Sequence, residues 1–187
     1  MPDPDGYRYG VAPYDIRVFG DPVLRQRAAE IPRIDEGVVR LAHDMIETMY
    51  AAPGVGLAAP QVGVQRRLFV YDARDDTGAH VVINPVLDGH SGEWTYEEGC
   101  LSVPDLYWPV VRAKEVHLTG VDLDGNELSI QADELRARIF QHEVDHLDGM
   151  LLIERLDPEQ RKEAMREMRN RTLGLPGDPG RQRRPVG

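Results

Sequence analysis

The chain has 187 residues, 41% hydrophobic and 29% charged, which suits one globular domain large enough to bury a real core. It contains no apolar run of membrane-spanning length, and the opening MPDPDGYRYG lacks the basic and apolar regions of a secretory signal. A single Cys excludes an internal disulfide and points to a reducing cytoplasm, and with a net charge of −10 neither DNA nor a membrane is an expected partner.

From the N-terminus, residues 1–14 read as a loosely ordered lead-in. Asp35 to about Tyr50 is predicted helical, because Val38, Val39, Leu41, Ala42, Met45, Ile46 and Met49 recur at helical spacing behind Asp35 as N-cap. Pro53-Gly54-Val55-Gly56-Leu57 breaks that helix, since a Pro with two Gly punctuates a turn. From about residue 67 to 130 the pattern turns to short strands: Leu68–Tyr71, Val81–Asn84, Lys114–Val121 and Glu127–Ile130. Asp124-Gly125 or Gly125-Asn126 supplies a hairpin turn. A second helix is predicted from about Asp133 to Leu147, with Leu135, Ile139, His142 and His146 along one stripe and Gly149 stopping it. A third runs from Pro158 to about Thr172, with Asp157 as its cap. Residues 173–187, rich in Gly, Pro and Arg, read as a disordered basic tail behind a single domain of residues 1–172. This order is that of an α+β fold with a mostly antiparallel sheet.

The second helix carries the most informative motif, Gln141-His142-Glu143-Val144-Asp145-His146. Its two imidazoles stand four residues apart, so both can reach one metal ion from one helix face. The intervening Glu143 can then take a proton from metal-bound water, the minimal apparatus of metal-assisted hydrolysis.

Such a site needs a third ligand. The form HExxHxxGxxH is excluded, because Leu152 stands where the third His would be. Glu163 or Glu167 would complete a site like that of thermolysin-like proteases, although each can instead pair with Arg166 or Arg171 along a charged helix. Cys100 lies in Glu97-Glu98-Gly99-Cys100-Leu101-Ser102-Val103-Pro104 and, as a thiolate, suits zinc or ferrous iron. Gly99 lets the backbone come close there. A lone Cys is otherwise a small buried hydrophobe.

Three segments decide between these readings. Gly54-Val55-Gly56-Leu57-Ala58-Ala59-Pro60-Gln61, Glu98-Gly99-Cys100-Leu101-Ser102 and Gln141-His142-Glu143-Val144-Asp145-His146-Leu147 resemble, in order, the three signature motifs of peptide deformylases. Gly20-Asp21-Pro22-Val23-Leu24-Arg25 looks like that family's N-terminal opening, so the likeness spans about residues 15–157. The resemblance implies an α+β fold of mostly antiparallel sheets packed around a central helix that carries the HExxH motif, with a C-terminal helix. It implies hydrolysis of the formyl group from the N-formyl-methionine end of nascent peptides, releasing formate.

It also implies roles for particular residues. Cys100, His142 and His146 would hold one divalent metal, Fe2+ in the cell and Zn2+ or another divalent ion as purified. Glu143 would act as general base and then acid, with the Gln61 side-chain amide and the Leu101 backbone N–H as oxyanion donors. Gly54, Val55, Gly56 and Gly99 would line the substrate backbone, and Tyr96 and Ile139, with Val55 and His142, the Met side chain. Asp145 would support the site from behind, either fixing a ligand or pairing with Arg112, whose place in the family pattern implies an inward role. Two positions depart from the family pattern. Arg138 occupies a place that is often apolar, where its stem would line the pocket, and Tyr107 one where many relatives hold the substrate backbone with a basic residue.

Charge is uneven along the chain. Residues 160–187 carry a net +5 and the remainder −15, so a polyanion such as ribosomal RNA would dock through the C-terminal segment, Arg181-Gln182-Arg183-Arg184 included. The ordinary alternative is a solvated helix face.

Overall fold

The computed structural model describes residues 13–175. Most of the lead-in and the tail beyond Leu175 lie outside them. Helix α1 spans Glu36–Ala51, and the Asp35 carboxylate accepts the Val38 N–H at 3.0 Å. Its inward stripe is Val38, Leu41, Ala42, Met45 and Met49. The chain then passes into strands β1 (Gly56–Ala58), β2 (Leu68–Tyr71) and β3 (His80–Ser91). Strands β4 (Trp94–Cys100) and β5 (Val103–Arg112) form a ribbon turned by Leu101-Ser102.

Strands β6 (Glu115–Val121) and β7 (Glu127–Asp133) are a hairpin around Gly125, whose φ is +82°. The Asp122 carboxylate ties that turn, accepting the Asp124 and Asn126 N–H groups at 2.9 Å. β7 runs directly into helix α2 (Glu134–Leu147), which Gly149 ends with φ +75°. Helix α3 (Pro158–Thr172) opens on a reciprocal cap between Asp157 and Gln160.

Five strands pair antiparallel in the order β1-β2-β3-β6-β7, and β4-β5 stands as a separate two-stranded sheet. The α+β expectation therefore holds, with three additions. β1 lies where the two Gly suggest only a turn, β3 outruns Val81–Asn84, and neither strand of the ribbon was expected. Pro104 and Pro109 obscure β5 in the sequence, yet they are tolerated there because β5 pairs on one edge only.

The core follows from the two-residue alternation of β2. Leu68 and Val70 face Val38, Met45 and Met49 of α1, whereas Phe69 and Tyr71 face Ile139, Phe140 and Leu147 of α2. The two helices thus cover opposite faces of one sheet, which is why all four β2 residues are buried. Fully burying a side chain such as Phe140 stabilises by roughly 1.5–3 kcal/mol. A third cluster joins Leu106, Trp108 and Val110 of the ribbon to Leu151, Ile153, Ala164 and Met168. Helix α2 consequently has the large sheet on one side and the ribbon on the other.

Candidate metal centre

Three donor atoms converge between α2 and the end of β4. His142 Nε2 and His146 Nε2 lie 3.2 Å apart, and Cys100 Sγ lies 3.2 Å from His146 Nε2. All three donors fall within 4.8 Å of one another, the one such group of His, Cys, Asp or Glu among the described residues. A tetrahedral ion with nitrogen and sulfur ligands at about 2.0–2.3 Å would set the triangle's edges at about 3.3–3.6 Å. The two edges of 3.2 Å that meet at His146 would therefore need to open by only a few tenths of an ångström.

The two imidazoles are shifted in opposite directions. Burial pushes His146 well below the ordinary imidazole value. For His142 burial also lowers the value, but the charge and hydrogen bond of Cys100, with Glu98, hold it well above. Two imidazoles and a thiolate suit Zn2+ and Fe2+ alike.

Glu143 is 3% exposed, and its Oε2 has no hydrogen-bond partner. Burial pushes its carboxyl up to about 7. The other oxygen lies against β1, where a Cβ on Gly56 would stand 2.3 Å from it. Gly56 is thus required by the space Glu143 occupies. Gly54 and Gly99 have similar neighbours: added Cβ atoms would meet Leu101 Cδ1 at 2.8 Å and the Tyr107 ring at 2.4 Å.

Gln61 sits in a short 3₁₀ turn, Ala59–Val62, with its side chain fixed at both ends. Its Oε1 accepts the Ala58 N–H at 2.8 Å, which leaves Nε2 as the donor. That Nε2 donates to Ser102 Oγ at 3.1 Å and lies 3.8 Å from Cys100 Sγ. Leu101 follows Cys100 in the turn of the ribbon. Val55 and Ile139 share an apolar cluster, while Tyr96 is 52% exposed and stacks on Trp94 at 4.8 Å. Of the predicted α2 stripe, Ile139, His142 and His146 are buried, but Leu135 on the first turn is exposed.

Behind the donors lies a buried charge network. Glu98 stands two residues before Cys100, hence on the same face of β4. Its Oε1 accepts from Arg112 Nη2 and His142 Nδ1, both at 2.6 Å. Its Oε2 accepts from Arg112 Nε at 2.9 Å and Arg138 Nη1 at 2.6 Å. A carboxylate at Nδ1 keeps that nitrogen protonated and leaves the Nε2 lone pair for the triangle. Burial alone would raise the Glu98 carboxyl, but the hydrogen bonds from Arg112 and His142 outweigh it and hold the group far below the usual range.

Arg112 also donates to Asp145 at 2.8 Å, and Asp145 accepts Arg155 Nε at 2.9 Å. His146 has no such partner at Nδ1. The support that Glu98 gives His142 was not anticipated, though its spacing from Cys100 was the available signal. Arg138, whose stem was expected to line a pocket, carries its head group inward. It is 4% exposed, and its guanidinium turns into the ribbon to reach the buried carboxylate.

Other candidates lie apart from the triangle. Glu167 pairs with Arg171 at 3.5 Å within α3, and neither Glu163 nor Glu167 joins the donor group. A roomy groove of about 1090 Å³ runs between α1 and the β6–β7 hairpin, but no residue of the three motifs lines it. Convergent donors, not volume, locate the chemistry here.

Known proteins are similar to this chain in sequence and architecture. A family profile described as polypeptide deformylase matches residues 13–162. A peptide deformylase of Acidothermus cellulolyticus is 51% identical over 154 residues, covering 82% of this chain and 84% of the relative. Peptide deformylase 1 of Corynebacterium efficiens is 50% identical over 155 residues, covering 81% and 91%. Among solved structures, a Legionella pneumophila peptide deformylase superposes with a TM-score of 0.80 at 40% identity, covering 86% of this chain and 95% of that one. A Synechococcus elongatus peptide deformylase in complex with actinonin gives 0.81 at 36% identity, covering 90% and 94%.

Proposed function

The chain belongs to the peptide deformylase family, and from that premise we propose that it removes the formyl group from N-formyl-methionyl nascent peptides and releases formate. The observation that carries this reading is the triangle of Cys100, His142 and His146 with the unpartnered Glu143 Oε2 beside it.

A divalent ion held by the three donors would supply Lewis acidity, making a water nucleophilic near neutral pH and polarising the formyl oxygen. Fe2+ in the cell and Zn2+ or another divalent ion after purification both suit the donor set. Glu143 takes the proton of the attacking water and returns it to the departing amine nitrogen. Its burial favours both directions, because a carboxyl pushed up to about 7 exchanges protons readily at neutral pH. The tetrahedral oxyanion is met by Gln61 Nε2 and the Leu101 N–H. Gln61 is prepared for this, since the Ala58 N–H fixes its amide and aims the donor toward Cys100.

The substrate backbone lies along Gly54, Val55, Gly56 and Gly99, and its Met side chain meets Val55, Tyr96, Ile139 and the face of His142. Asp145 and Arg112 support the ligands from behind. Residues 1–172 act as one catalytic unit in the cytoplasm, and the basic residues of 160–187 bring it to the ribosome. The described part of the chain contains no helix long and apolar enough to cross a membrane.

Anaerobic metal analysis alongside formate release from a formyl-Met peptide tests the reading. Stoichiometric metal and formate are expected from the intact chain and neither from Cys100→Ala. A Cys100→Ala protein that keeps both would sink it. For the ribosome, deleting residues 173–187 should weaken salt-sensitive binding, and unchanged affinity would remove the tail from the account.

A further inference from the structure

Each ligand of the triangle depends on a contact between two units that are far apart in the chain. Cys100 belongs to the ribbon, whereas His142 and His146 belong to α2. No hydrogen bond of a regular sheet joins the ribbon to the helix, so side chains must set their separation. Arg138 is placed to do this. It sits one helical turn before His142, on the same face of α2. Both reach a single carboxylate, Arg138 at Glu98 Oε2 and His142 at Oε1, each at 2.6 Å. Glu98 therefore spans one turn of the helix, two residues from the thiolate.

The same guanidinium donates to two backbone carbonyls, Trp94 O on β4 at 2.7 Å and Val110 O on β5 at 3.0 Å. It also lies 5.0 Å from the Trp94 ring centroid. One side chain thus grips both strands of the ribbon and the carboxylate that orients His142.

Charge compensation does not account for it. Arg112 already meets Glu98 through two nitrogens, one to each oxygen. A second buried guanidinium carries its own desolvation cost, so neutralising Glu98 is not sufficient reason for its presence. Geometry is the remaining explanation: Arg112 arises from the ribbon itself and meets α2 through Asp145, whereas Arg138 reaches from α2 back into the ribbon.

We infer that Arg138 is a positioning residue for the metal centre, setting the distance from Cys100 to the two histidines through Glu98 and the carbonyls of Trp94 and Val110. The inference rests on the reading of Cys100, His142 and His146 as metal ligands. Supporting contacts of this kind are worth about 10- to 100-fold in metal affinity.

The test uses the full chain, stripped of metal and titrated with Zn2+ against a chromophoric chelator, then with Co2+ to record the thiolate-to-cobalt absorption band. Arg138→Met keeps the stem and removes the fork. It is expected to bind Zn2+ about 10- to 100-fold more weakly, with a weakened or displaced band. Arg138→Lys, which keeps a charge but cannot make all three contacts, should recover part of the loss. Val38→Ala loosens the α1 core on the opposite face of the sheet and controls for lost stability. It should leave affinity and band unchanged.

Wild-type affinity and an unaltered band in Arg138→Met would reduce Arg138 to a staple of the fold and overturn the inference. If that variant does not fold, wild-type values in Arg138→Lys overturn it instead. Should the unsubstituted chain itself fail to hold Zn2+ or Co2+, the ligand reading falls and takes this inference with it. That failure is recognisable because it precedes any substitution.

Discussion

Helices α2 and α3 have 14 and 15 residues, and both are dense in charged side chains, yet they do opposite things with them. Ten residues of α2 are buried, among them Arg138, Gln141, His142, Glu143, Asp145 and His146. In α3 only Ala164, Glu167 and Met168 are buried among the side chains described, a narrow stripe facing the ribbon cluster. The difference lies in where the partners come from. Glu98 and Arg112, between 33 and 44 residues away, meet Arg138, His142 and Asp145 of α2, and Arg155 also meets Asp145, whereas Glu167 is met by Arg171 one turn on. A charged helix can be a surface or the wall of a reaction site, and local spacing alone does not distinguish the two.

Substitutions on and against the two helices should therefore differ steeply. The largest effect is expected at Glu143. Glu143→Gln keeps the shape but removes the proton carrier, and formate release should fall by about 100- to 10,000-fold. Bound metal should remain near the unsubstituted level, and a variant with more than a tenth of the activity would break the assignment of Glu143 as base.

Arg112→Met comes next. It removes one partner from a buried pair and leaves both Glu98 and Asp145 short of a donor. The cost is about 3–5 kcal/mol, or roughly 10 °C in Tm by thermal unfolding. A loss below about 1 kcal/mol would mean that the buried network is not what holds the ribbon to α2. Asp157→Ala is milder, since it removes only the reciprocal cap of α3. Urea unfolding should register about 1 kcal/mol, with formate release unchanged.

The same contrast governs how much of the molecule its sequence discloses. All three helices, β2 and the β6–β7 hairpin are legible to within about three residues at their ends. Their signals are local: Asp35 and Asp157 as caps, apolar periodicity in α1, and Gly125 in a turn. The ribbon was missed because Glu98 faces inward and two Pro interrupt β5, although Leu106, Trp108 and Val110 alternate as a half-buried strand should. β1 was missed because Gly54 and Gly56 look like punctuation. Gly56 is there because Glu143, far along the chain, occupies the space of its missing side chain.

Within the site, the spacing of His142 and His146 is readable on its own, and the proximity of Cys100 followed from motif resemblance. For Glu98 at His142 the only local signal was its spacing from Cys100, and Arg138 in the ribbon left none, because each depends on a pairing across tertiary structure.

Arg171→Ala supplies the smallest expected effect and the sharpest test of the surface half of the contrast. The Arg171–Glu167 pair is 3.5 Å long, and the arginine side chain is 38% exposed. Solvent screening and the entropy of holding a long side chain leave such a pair about 0.5 kcal/mol or less. Arg171 also donates to the Pro104 carbonyl at the start of β5, so a charge of α3 touches the ribbon there. If that contact is merely a surface hydrogen bond, urea unfolding should show a loss near 0.5 kcal/mol that shrinks further in high salt. A salt-insensitive loss above about 2 kcal/mol would instead place Arg171 with Arg112 and Arg138, as a side chain that fixes the ribbon. The two helices would then differ in degree and not in kind.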